Sequence, residues 1–286
     1  LANQEANPMT ALTDTLQMEM YGDHPLAGRI KAEMIDQIDY NRIMEMYKDR
    51  FKEAGDFTFL FVGNINLEEA KPFIETYLGG LPTINRKENF KDIKMDIRKG
   101  AHKNVFEKQM ETPKATVFSV ISGNCKFTPK NNLLMSMFSQ IMDMVYIETI
   151  REKEGASYGV TTYGEMSCYP KEEAIFQIIF DTDPAKREKM EQIVMTELQK
   201  VAKEGPRPEH LAKVKEYMLK KHLENVKENS YWVNQLLEYY FNNIDLYTGY
   251  EKLVNEISIK DVKKFAKALL NQGNIIEVTM TSKEAK

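Results

Sequence analysis

The chain is predicted to adopt an α+β fold, a two-layer arrangement in which a mixed, mostly antiparallel sheet carries helices on one face. Three observations predict it. Amphipathic stretches with apolar residues three and four apart recur along the chain. Between them lie short apolar or alternating runs bounded by Gly, Pro and Asn. A helix-then-strand unit also occurs twice, near the start and at the end.

Helical periodicity covers Thr10 to Met20, then Asp36 to Lys52, with Ile38, Ile43, Met46, Tyr47 and Phe51 on one face. Phe57 to Val62 is a continuous apolar run between Gly55-Asp56 and Gly63-Asn64, the pattern of a buried strand. Asn66 is placed to cap a helix from Leu67 to Leu78, which Gly79-Gly80 and Pro82 stop. The charged, weakly periodic stretch from Thr83 to Asn104 reads as a linker. Val105 to Met110 and Ala115 to Gly123 follow as strands around Thr112-Pro113. Leu133 to Arg151 is a helix that is apolar nearly all round, which predicts cover on more than one side. Tyr158 to Met166 and Ala174 to Asp181 alternate as a strand pair. Helices are expected at Pro184 to Glu204, ended by Gly205-Pro206, and at Glu209 to Asn229, Ser230 to Phe241 and Lys260 to Leu270, before a last strand, Ile275 to Thr281.

The repeat sets Ile35, Ile38, Ile43, Met46 and Phe51 against Val254, Ile257, Val262, Phe265 and Leu270 at identical spacings. It divides the chain into residues 1–82, the closing part of one domain; 83–104, the linker; and 105–286, a complete domain. The first copy then lacks the opening strands of its sheet. An incomplete sheet has unpaired edges, which invite self-association into a homo-oligomer.

A length of 286 residues suffices for one large domain or two ordinary ones, and 42% hydrophobic with 29% charged residues is a globular composition. The net charge of −4 and pI near 5.8 argue against nucleic-acid binding, since the lysines between Lys186 and Lys203 alternate with glutamates as a solvated helix face. The longest apolar run, Leu133 to Ile150, is interrupted by Ser136, Ser139, Gln140, Asp143 and Glu148, so no membrane insertion is expected. The opening Leu-Ala-Asn-Gln suggests a piece excised from a longer polypeptide, which leaves the compartment open. Two cysteines, Cys125 and Cys168, make no disulfide framework and no thiol metal site.

Four histidines, His24, His102, His210 and His222, stand twelve or more residues apart. Neither H-E-x-x-H nor H-x-x-E-H is present, so no metal is expected on this chain. Gly63-Asn64-Ile65 lacks the later glycines of a phosphate loop and reads as a turn. The segment from Ile150 to Val160 carries more information. A long helix ends in a charged turn, Gly155 supplies a left-handed stop, and the chain re-enters a strand at Tyr158. That path carries Arg151 and Tyr158 towards one edge of the sheet. A guanidinium and a phenol there suit a peptide carbonyl, a carboxylate or an oxyanion. A plainer reading stays open, because the helix dipole favours Arg at a C-terminus and Tyr often starts strands.

The seven-residue spacing of Arg151 and Tyr158 after a long helix resembles the signature of the zinc-free half of pitrilysin-type metallopeptidases, which include insulin-degrading enzyme and the mitochondrial processing peptidases. Tyr21-Gly-Asp-His-Pro-Leu26, the apolar run ending Val62-Gly63-Asn64 and the helix leading to Leu81-Pro82 match as well. The resemblance implies a metallopeptidase LuxS-like domain and a peptide substrate. Arg151 and Tyr158 would hold the substrate backbone and stabilise the oxyanion, with zinc supplied by an N-terminal catalytic half or a zinc-bearing partner subunit. Alone, the chain would be inactive. For a bacterial parent the periplasm or cell envelope is implied. Ala174 to Asp181, or the neighbouring strand from Tyr158, would add edge hydrogen bonds to an extended peptide. Two alternatives stand beside this: a non-catalytic scaffold or assembly subunit of the same fold, and a binding module using Tyr231-Trp232 and Tyr239-Tyr240-Phe241.

Overall fold

The structure is a computed structural model that describes residues 1–153 and 159–283, without the side chains of residues 2, 5 and 151–153. The chain forms two compact units, residues 1–29, 94–221 and 248–286, and residues 30–93 and 222–247.

The first unit is built on a five-stranded sheet: β1 (Ala101–Lys108), β2 (Ala115–Asn124), β3 (Val160–Ser167), β4 (Glu173–Thr182) and β5 (Asn274–Ser282), in the order β1-β5-β2-β4-β3. β1 and β5 run parallel, with Ala101 opposite Ile275; the other pairs are antiparallel, with Ala115 opposite Thr182 and Val160 opposite Phe180. This is the mixed, mostly antiparallel sheet that the alternation predicted. β1 begins at Gly100's doorstep rather than at Val105, because Gly100 N–H donates to Asn274 Oδ1 (2.9 Å) and its carbonyl accepts from Ile275 (3.0 Å).

Side chains alternate across each strand, so the sheet has two distinct faces. On one face pack α4 (Pro129–Tyr146), α5 (Arg187–Glu204) and α9 (Ile259–Leu270), around a core in which the Phe138 ring lies 4.7 Å from Phe176 and 6.2 Å from Phe265. Polar groups buried there are paired. Thr279 donates to Glu191 of α5 (3.2 Å), and Lys103 bridges Glu191 (2.6 Å) and Glu277 (2.7 Å). On the other face α1 (Pro8–Tyr21) lays Leu12, Leu16 and Met20 against Val120, Ile276, Val278 and Met280. α9 starts in a capping box between Ser258 and Asp261; hydrogen bonds from Lys130 and then Ser258 hold the Asp261 carboxyl at about 2. The helix from Pro129 to Ile150 is long and apolar enough to cross a bilayer by composition alone, which corrects the expectation from its interruptions. In the fold it is a core helix, with 56% of its apolar window buried.

The second unit contains α2 (Tyr40–Phe51), α3 (Leu67–Tyr77) and α7 (Asn229–Asn242). Asn66 caps α3 as expected, accepting from Glu68 and Glu69. The helix expected from Asp36 divides: Ala32–Gln37 is a 3₁₀ turn, and Asp39 caps α2 by accepting from Arg42. Buried Glu53 organises the following turn, accepting from the Thr83 hydroxyl (2.6 Å) and the amides of Gly55 (2.8 Å), Ile84 (2.9 Å) and Arg86 (2.7 Å). The Thr83 and Arg86 bonds lead in holding its carboxyl at about 2. A Cβ on Gly55 would sit 2.7 Å from Glu53 Oε1, so a side chain there would have to displace the Glu53 carboxylate from its hydrogen bonds.

Residues 57–62 correct the sequence reading. They form no ladder with any described residue, and Phe59 and Phe61 are exposed. A run of this composition becomes a strand only where a neighbour satisfies its backbone, and this unit offers none. The remaining helices are α6 (Pro208–Asn225) and α8 (Tyr250–Glu256), the latter too short for the periodicity to reveal.

Candidate functional site

The corner between α4 and β3 is built from residues that the apolar pattern alone made look like interruptions. Thr128 starts α4 by accepting from the Asn131 amide (3.1 Å), with Pro129 at the first helical position. After Tyr146 the helix widens into a π-helical turn, Ile147–Lys153. Such widened turns cluster at functional sites. The backbone of Arg151 lies in this turn. Its side chain, the turn at Gly155 and all of Tyr158 lie outside the described residues.

The frame on either side is described, and it is clamped. Asp143 Oδ1 accepts from both the amide and the hydroxyl of Thr162 in β3, each at 2.9 Å, and Ser139 Oγ lies 2.9 Å from the same hydroxyl. Half-burial raises the Asp143 carboxyl, against the two Thr162 hydrogen bonds. The fully buried Tyr146 hydroxyl donates to the Val194 carbonyl of α5 (3.1 Å), and its burial pushes the phenol well up. Ile150 and Val160, on the two sides of the corner, are both buried.

The π-turn is tied to α6 through Glu148, which pairs with Arg207 and faces His210 Nε2 at 3.0 Å. A small cavity of about 140 Å³ lies here, lined by Glu148, Thr149, Glu197, Lys200, Arg207 and His210 among others. His210 is fully buried. Both Glu148 Oε1 and Arg207 Nη2 (2.7 Å) face its Nε2, while Nδ1 has no partner among the described residues. In either neutral tautomer one ring nitrogen lacks a partner, and protonating Nδ1 would bury an unpaired N–H.

Burial and then Arg207 hold the His210 pKa below its ordinary value. The unfolded chain therefore binds the proton more readily. The neutral ring's contribution is intact above the ordinary imidazole value of about 6.5 and is lost as the pH falls from there towards the lower folded value. Thermal melts should show the native chain losing stability as the pH falls below about 6.5, relative to His210→Asn, which has no such titration.

The sheet order corrects one sequence expectation. β4 is laddered on both sides, to β2 and β3, so Ala174 to Asp181 has no edge for a peptide. β3 has β4 as its only ladder partner among the described strands and stands at the sheet edge.

The other three histidines have partners close in sequence. His24 Nδ1 accepts from Leu26 (3.2 Å), His102 lies against Lys99 and Arg98, and His222 Nδ1 is 3.4 Å from the Tyr231 hydroxyl. No group of three metal-ligating side chains occurs among the described residues, so those residues do not fit a zinc site.

Comparison with known proteins decides the family. The description "Peptidase M16 inactive domain" matches residues 37–218, more than half of the chain. The chain belongs to that family. The resemblance read from the sequence is thereby borne out, and so is the α+β fold class. A zinc protease PQQL-like protein of Arabidopsis thaliana is 21% identical over 259 residues, covering 84% of this M16 domain chain and 27% of the relative. The periplasmic protease PqqL of Escherichia coli superposes with a TM-score of 0.81 at 14% identity, over 97% of this chain and 31% of that one. An M16 inactive domain from Pseudomonas fluorescens gives 0.74 at 20% identity, over 100% of this chain and 68% of that one. The ferredoxin protease FusC, in a mutant form in complex with Arabidopsis ferredoxin, gives 0.77 at 14% identity, over 99% of this chain and 31% of that one. The chain thus spans 27% of the curated relative's length and 31% of PqqL's.

Asp143, Glu148, Thr162, Arg207 and His210 were not picked out by the sequence reading. A signal existed for the first two: a carboxylate inside an otherwise apolar helix must find a partner when buried.

Proposed function

We propose that this M16 inactive domain is the substrate-holding part of a zinc-dependent endopeptidase. In this reading Arg151 and Tyr158 donate hydrogen bonds to the substrate backbone beside the scissile bond and to the oxyanion that forms there. The metal belongs to an N-terminal catalytic half or a partner subunit, and the substrate is an extended stretch of polypeptide. The observation that carries the reading is the clamped corner. Asp143–Thr162, Tyr146–Val194 and Glu148–His210 tie the backbone before Arg151 and after Tyr158 to three different elements, β3, α5 and α6. Donors that stabilise a developing charge are effective only when held in place beforehand. The free edge of β3, which begins two residues after Tyr158, supports the reading further by offering backbone hydrogen bonds to an extended peptide. Ferredoxin bound to FusC is consistent with a protein substrate.

The test is Tyr158→Phe in the polypeptide that carries the zinc site together with these residues. This change removes one hydroxyl and leaves the ring. A kcat/KM lower by on the order of 10², with KM little changed and an unaltered melting temperature, is expected. An unchanged kcat/KM would reject the role and favour a scaffold subunit of the same fold.

A further inference from the structure

Glu148 and Arg151 stand three residues apart on one helical turn, Ile147–Lys153. On a helix surface, a carboxylate three or four residues ahead of a cation is a ready ion-pair partner for it. An Arg151 captured in this way would hold Glu148 rather than substrate, and the freed carboxylate would oppose negative charge developing nearby. Glu148 is engaged elsewhere. Its carboxylate pairs with Arg207 and faces His210 Nε2 at 3.0 Å.

Arg207 stands where local rules argue against it. α5 ends at Gly205, whose φ of 91° turns the chain, and a Cβ there would come within 2.7 Å of Ile259 Cγ2. Buried Pro206 fixes the next backbone angle. The Arg207 carbonyl then accepts from the amides of His210 (3.1 Å) and Leu211 (3.3 Å), which makes it the cap residue of α6. That position favours Ser, Thr, Asp or Asn, and a cation there opposes the helix dipole. A local preference overridden in this way points to a partner outside the helix. The guanidinium reaches that partner, Glu148, on the π-helical turn, and also lies 2.7 Å from buried His210 Nε2. Either tautomer of His210 suits the arrangement. With a proton on Nε2 the ring donates to Glu148; without one it accepts from Arg207, which still holds Glu148.

We propose that Arg207, with His210 behind it, is a positioning residue: it sequesters Glu148 and leaves the Arg151 guanidinium uncompensated for substrate. The inference rests on the role proposed above for Arg151. The widened turn contributes, because more residues per turn rotate Arg151 further from the face of Glu148 than an α-turn would. Arg207 acts through Arg151 and not on the reacting atoms.

Steady-state kinetics test it in the polypeptide that carries the zinc site, with Arg207→Ala, Glu148→Gln and both together. Arg207→Ala should lower kcat/KM about two- to fivefold, the scale of a partly exposed ion pair gained by Arg151. Adding Glu148→Gln should restore most of that loss, because glutamine can still accept from His210 but carries no charge. A merely structural clamp predicts the reverse. A double variant as slow as Arg207→Ala, or an Arg207→Ala enzyme with full activity, would overturn the proposal.

A second measurement separates this from the role of Arg151 itself. In the 286-residue chain, the Arg151 Nε–Hε signal in a proton–nitrogen NMR spectrum should move on Glu148→Gln when Arg207 is alanine. It should hold its place when Arg207 is present. Movement in both backgrounds, or in neither, would overturn the sequestration even where Arg151→Ala slows the enzyme. The expected movement together with a wild-type rate for Arg151→Ala would support the sequestration and overturn the catalytic reading instead.

Discussion

Arg151→Ala, introduced into the intact parent enzyme, should lower kcat/KM by 10²–10³-fold, on the order expected for losing one oxyanion donor. In the proposed role the guanidinium, permanently charged and with several donors in a fixed plane, makes hydrogen bonds to a developing negative charge that strengthen as the reaction proceeds. An interaction made mainly in the transition state lowers kcat and kcat/KM together and leaves KM nearly unchanged. Arg151→Lys should recover part of the loss, because the charge remains while the fork geometry goes. The backbone of Arg151 belongs to a π-helical turn tied to α6 through Glu148, so truncating the side chain leaves the frame in place. Steady-state kinetics with a quenched-fluorescence peptide, alongside a melting curve, would check this. A wild-type rate from a folded variant would remove Arg151 from the mechanism.

Phe138→Ala should cost about 3–5 kcal/mol of stability, the range for deleting a fully buried aromatic ring. Phe138 is 0% exposed and sits in α4 between Phe176 of β4 and Phe265 of α9, so its loss opens a cavity where three elements meet. Part of the effect is the lost ring–ring contact, about 0.5–1.5 kcal/mol per pair beyond area burial. Against a total stability of about 5–15 kcal/mol for a domain, this is a large fraction. Urea titration monitored by circular dichroism should show an earlier midpoint at unchanged slope. A shift below about 1 kcal/mol would mean that the three elements close over the gap.

The helices were legible where the apolar stripe came with a cap. α3 after Asn66 and α9 ending at Leu270 fall where the pattern put them, because capping and periodicity are local properties. Residues 57–62 carry the same apolar pattern as β5, yet a strand exists only through neighbours, and neighbours are not a local property. The Arg151–Tyr158 spacing was readable as a motif. Its supports were not, since Glu148 meets Arg207 and His210 across about sixty residues of chain, and no periodicity reports a pairing of that range.

The parallel pairing of β1 with β5 has a consequence for synthesis. β1 is the first strand of this sheet to be made, but its sole ladder partner among the described strands is the last of them. Until Asn274 to Ser282 have been translated, β1 keeps both flanks bare and β2 lacks one neighbour. The strands therefore cannot pair in the order of the sequence as they are made, and β1 stays unpaired until β5 has followed it.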